Sequence, residues 1–153
     1  MVSDARYNTK IYFEKYYNPQ NALDDNNHAL GVQFMIEDPD YSMELEFKAP
    51  SVIDVIVSIG EPNSEPLEGH DAWTAGPYGY LEHIPLKIWV TDKDGVTASK
   101  AKWQVENELR RIIRTYPEGS QRQMQRRSGE DKILGSTYLA CTELVMVYER
   151  LAT

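Results

Sequence analysis

Apolar side chains recur along this chain at two spacings, and the spacing changes near residue 95. Leu30, Val32, Phe34 and Ile36 fall on one side, with Gln33 and Glu37 on the other, which predicts a half-buried strand. Asp38-Pro39-Asp40 reads as a turn. Beyond it Met43, Leu45 and Phe47 alternate with Glu44, Glu46 and Lys48, the expected hairpin partner. Past Pro50, Val52 to Ile59 predicts another strand, with Asp54 set among Val52, Ile53, Val55 and Ile56. Tyr80 to Thr91 alternates again: Ile84, Leu86, Ile88 and Val90 share one face, and His83, Lys87 and Trp89 the other. Pro85 has no amide hydrogen, so this strand is expected at an edge or with a bulge. Ile133 to Arg150 is apolar on both faces. Tyr138, Ala140, Thr142, Leu144, Met146 and Tyr148 fall on one side and Leu139, Cys141, Val145 and Val147 on the other, as in a central strand. Cys141 is then a buried, inert thiol.

Between the last two strands the period lengthens. After the Asp92–Gly95 turn, Ala98, Ala101, Val105, Leu109, Ile112 and Tyr116 recur at three- and four-residue steps. That is the core stripe of an amphipathic helix, capped near Thr97 and ended by Pro117 and Gly119. Lys100, Trp103, Asn107, Arg110 and Arg114 stand on its other side. An indole on a polar helix face is either covered by an adjoining loop or kept for an intersubunit contact, where tryptophan and arginine are enriched.

The fold class expected is α+β: a mixed, mostly antiparallel sheet packed by one main amphipathic helix over about 97–116. Residues 1–153 form a single domain, with long loops at about 61–79 and 117–135. The first of these holds Trp73 and Tyr78, so part of it is expected to pack. Residues 6–17 are rich in β-favouring aromatics, yet a helix over about 8–16 fits as well.

Composition narrows the class. A chain of 153 residues with 41% hydrophobic side chains is one globular domain rather than a disordered chain. One cysteine leaves no disulfide framework or paired-cysteine zinc site. No apolar run nears the roughly 20 residues of a membrane span, and the first residues do not read as a secretory signal. A soluble intracellular protein is the expectation. The net charge of −8 is unevenly spread. Residues 1–99 carry 6 bases and 17 acids, and residues 100–153 carry 10 bases and 7 acids. From 110 to 127 stand Arg110, Arg111, Arg114, Arg122, Arg126 and Arg127 against one acid, Glu118. This is a solvated helix face and loop, or a cationic surface for an acidic partner; unlike patches on one small domain also suit head-to-tail self-association.

Catalytic chemistry is not written into the chain. It has no phosphate-binding glycine loop and no nucleophile elbow. His28, His70 and His83 lack ligand spacing; His70, Asp71 and His83 would meet only if the long loop folded back. No catalytic residue, metal or cofactor is expected.

The order of strands, long loop, strand, single helix and closing strand resembles the tail terminator or tail-completion proteins of tailed viruses. Residues 81–91, the 92–95 turn, 100–113 and 137–149 carry the resemblance, roughly the C-terminal half. The N-terminal part departs from it: the family has a leading helix, whereas residues 30–59 read as a β-meander. The resemblance implies a non-enzymatic virion protein of the tail or neck, assembled in the host cytoplasm. It implies a homohexameric ring that caps the tail tube and joins a head-connector protein, with DNA only passing through its lumen. On that reading Trp103, Arg110 and Arg114 make subunit or neighbour contacts. Arg122, Arg126 and Arg127 dock an acidic partner, and the loop with Trp73 is a second docking arm. The alternative is an intracellular protein-binding adaptor that uses the Arg110–Arg127 segment.

Overall fold

A computed structural model describes residues 5–24, 27–36, 54–66, 79–92, 95–119, 121–127, 129, 132–134 and 137–151. Within these, α1 (Ala5–Tyr16) and a 3-10 turn (Pro19–Asn21) precede β1 (Val32–Ile36), β2 (Asp54–Ile59), β3 (Asn63–Pro66) and β4 (Gly79–Asp92). Then follow α2 (Gly95–Thr115), β5 (Arg122–Arg126), β6 (Lys132–Leu134) and β7 (Thr137–Leu151). The strands form one mixed, mostly antiparallel sheet in the order β1-β2-β4-β7-β5, with β3 added to β4 and β6 to β7. The class is α+β, with one main helix packed on the sheet. Among the described residues no helix is long and apolar enough to cross a membrane.

The long β4–β7 pair is the spine, running from Gly79↔Leu151 to Asp92↔Tyr138. Its register sets Ile84, Leu86, Ile88 and Val90 beside Met146, Leu144, Thr142 and Ala140, all buried. Val55, Val57 and Ile59 of β2 continue the same face. Onto it α2 lays Ala98, Ala101, Val105, Leu109 and Ile112, each at most 1% exposed. Only Tyr116, the last residue of the predicted stripe, lies outside this core. It follows the end of α2 at Thr115, is partly exposed, and stacks on Tyr16 at 4.1 Å.

Several expectations change. The opening segment is a helix: Thr9, Tyr12 and Phe13 share its buried side, and tertiary packing outweighs the β preference of its aromatics. β1 runs parallel to β2, Val32 opposite Val55 and Ile36 opposite Ile59, so these two strands do not form a meander. The proposed hairpin partner at 43–48 lies outside the described residues. Residues 117–135, expected as a loop, carry β5 and β6. β3 occupies 63–66 of the other expected loop, and Trp73 lies outside the described residues.

β4 is central, not an edge, despite Pro85. The reason is local. β2 covers β4 from Leu86 to Thr91 and β3 covers it from Tyr80 to His83, leaving a seam at Ile84 and Pro85. Gly60 crosses that seam and donates its N–H to the Pro85 carbonyl at 2.8 Å. In an antiparallel strand a residue's N–H and C=O point the same way, so the missing proline donor faces the seam and removes no ladder bond. A Cβ at Gly60 would stand 2.9 Å from Pro85 Cγ. Gly60→Ala is therefore expected to lower stability by about 1 kcal/mol through local overpacking, read from urea unfolding midpoints.

Candidate interaction surface

Two carboxylates on α2 organise the basic segment. Glu106 and Glu108 are 3% and 2% exposed, although a two-residue step on a helix points them to different sides. Each is flanked by core residues, Val105 and Leu109, and each needs cationic partners inside the fold. Glu106 accepts from Arg110 Nε at 3.0 Å and from Arg126 Nη2 at 2.7 Å and Nε at 3.1 Å. Arg126 belongs to β5, so Glu106 ties the helix to the sheet edge. Glu108 accepts from Arg111 Nη2 at 2.9 Å, from the Asn18 backbone N–H at 2.9 Å and from Asn21 Nδ2 at 3.4 Å. It ties the helix to the connection after α1. Burial pushes both carboxyls up, but the guanidinium hydrogen bonds outweigh it and hold both below the usual carboxylate range.

Arg122 is taken up differently. Its guanidinium lies 4.5 Å from the Tyr12 ring and 4.7 Å from the Tyr148 ring, and it donates to the Pro117 carbonyl. Tyr12 in turn donates to the Tyr116 carbonyl at 2.6 Å. Burial raises the Tyr12 phenol above its ordinary value. The end of α1 thus meets the turn after α2. There Glu118 and Gly119 adopt positive φ (47° and 87°), and Glu118 accepts from Tyr16.

Four of the six arginines (Arg110, Arg111, Arg122 and Arg126) are therefore engaged within the chain. Arg114 and Arg127 are exposed, and the Arg127 amide donates to the Glu143 carbonyl at 2.7 Å. Trp103 is 55% exposed on the outer side of α2, so the described residues around it do not cover it. Sequence reading named the arginines but missed Glu106 and Glu108. The signal was present, since each has an arginine one turn on, at i+4 and i+3.

Between the C-terminal half of α2 and β5 lies a cleft of about 570 Å³. Arg110, Arg114 and Arg122 line it together with Ile113 and Met124, and among the described lining residues there is no carboxylate. Glu106 can neutralise only one of Arg110 and Arg126, and Arg114 stands exposed beside them, so the cleft keeps a positive field. β5 ends the sheet here. Because Arg127 bonds β7, the alternate backbone groups at Arg122, Met124 and Arg126 face outward. The Met124 carbonyl is capped by Arg110 Nη1 at 2.9 Å.

Of His70, Asp71 and His83, the structure describes His83. His83 Nε2 stands 3.6 Å from Glu65 Oε1, while His70 and Asp71 lie outside the described residues. Among the described residues no cluster of histidine, cysteine or carboxylates is arranged to hold a metal. Comparison with protein-family models and with curated proteins returns no match.

Proposed function

We propose that this chain is a non-enzymatic structural subunit of a tailed virus. It assembles as a ring at the tail or neck, caps the tail tube and meets the head connector, with DNA passing through the lumen. The observation that carries the reading is Trp103. A large indole stands 55% exposed on α2, and Val96, two turns earlier, is 62% exposed. The core stripe of the same helix, Ala98, Ala101, Val105, Leu109 and Ile112, is at most 1% exposed, so this apolar spot is not a poorly folded region. Exposed aromatic anchors of this kind are the usual centres of protein interfaces. The element order adds support: α1 is the leading helix that the tail-completion resemblance calls for. The adaptor reading depends on a freely available basic segment, and four of its six arginines are occupied internally.

Size-exclusion chromatography with light scattering tests the proposal. The wild-type protein is expected to form a closed oligomer, and Trp103→Glu to weaken assembly by at least about thirtyfold, the loss of one anchor residue. Its circular dichroism should stay unchanged, because Trp103 makes little of the core. A wild-type protein that is monomeric at every concentration and does not bind tail tubes would sink the proposal.

A further inference from the structure

We infer that the cationic cleft between α2 and β5 receives the acidic β3 edge of a second copy of this chain, so that the two unlike ends of one sheet meet head to tail. The inference rests on the ring-subunit reading and deepens it by naming the contact.

The sheet's register sets up the contact. Asn63 pairs with His83, His83 with Val147, and Val147 with Gln123. β3, β4, β7 and β5 therefore form a four-stranded section whose open ends lie level with one another, roughly 15 Å apart. The two ends carry opposite charge. β5 and the adjacent turn of α2 present the exposed Arg114 and Arg127, with Arg122 and Arg126 beside them held by the Pro117 carbonyl and Glu106, and among the described residues lining the cleft there is no carboxylate. At the other end β3 is exposed along its whole length, as is Glu61 just before it. Residues 61–66 contain Glu61 and Glu65 and no base. The Glu65 carboxylate is 60% exposed, with the imidazole of His83 beside it at 3.6 Å.

The contact is ionic rather than a continued strand ladder. On β5 the central outward carbonyl is already capped by Arg110. On β3, Pro62 and Pro66 flank the exposed residues and cannot donate. Backbone addition is thus hindered at both ends, while side-chain pairing stays available. A surface that meets a different surface on the next copy gives a heterologous interface, which closes as a ring when the rotation per subunit divides the circle.

A charge swap tests this on the full chain. Arg114→Glu and Glu65→Arg alter exposed positions, and circular dichroism confirms that each folds. Each alone is expected to weaken self-association by at least about tenfold, and the double variant to restore it to near the wild-type level. Mixing the two single variants should form mixed pairs that neither forms alone. A wild-type oligomer with both single variants assembling normally would overturn the inference and leave the ring reading standing. So would a double variant that stays dissociated. A monomeric wild-type protein would overturn both.

Discussion

Replacing Glu108 with alanine is expected to lower the unfolding free energy by about 3 kcal/mol, more than any surface change in this chain. The carboxylate is fully buried and accepts from Arg111, the Asn18 amide and Asn21 at once. Removing it strands a guanidinium and a backbone N–H that were oriented around it. Breaking a buried pair from one side costs about 3–5 kcal/mol. The lower end applies because Arg111 is 29% exposed and can recruit water. For a chain of this length that is a fall of roughly 6–12 °C in Tm, read by thermal unfolding. A change of 2 °C or less would show that Glu108 is not a pin between α1 and α2.

The same residue sets an acid limb. The folded values of Glu106 and Glu108 lie below their unfolded ones. Groups depressed in this way stabilise fully above the unfolded carboxylate range and lose that contribution as pH falls through the folded values. Stability should therefore be flat near neutrality and drop below about pH 4.5. The Glu108→Gln variant should be less stable at pH 7 and show a shallower drop. An equally steep drop in that variant would place the acid sensitivity elsewhere.

Phe13→Ala is the second large effect, expected at about 3–5 kcal/mol. Phe13 is 0% exposed. It lies parallel to Phe34 at 6.0 Å and edge-on to Tyr12 at 5.1 Å. Its loss leaves a cavity between α1 and the β1–β2 end of the sheet. A 12-residue helix has little stability of its own, so α1 depends on this packing. Hydrogen exchange should show residues 5–16 losing protection first, while β4 and β7 stay protected. Uniform loss across all elements would mean that α1 and the sheet unfold as one unit.

These two sites also show where sequence reading stopped. The stripe on α2 was legible because its period is local and long: Ala98 to Ile112 repeats without a break, and no other element has to be known to see it. The alternation in β4 and β7 was legible for the same reason. α1 was ambiguous because Tyr12, Phe13, Tyr16 and Tyr17 satisfy both a strand preference and a helical step, and only Phe34 and Tyr116 across the fold decide between them.

The sequence by itself determined the class of the protein: a mixed α+β fold, a core stripe on one main helix, a two-faced apolar last strand, and a charge split between its halves. Each follows from spacing within one segment. The tertiary structure decided what no segment contains. It put Pro85 at a seam between two strands, so that a proline sits in a central position. It ran β1 parallel to β2. It turned most of the arginine segment inward onto Glu106, Glu108 and two tyrosine rings, and left Trp103 in solvent. Partner choice depends on which side chains come within a few ångströms across long stretches of chain, and periodicity carries no information about that.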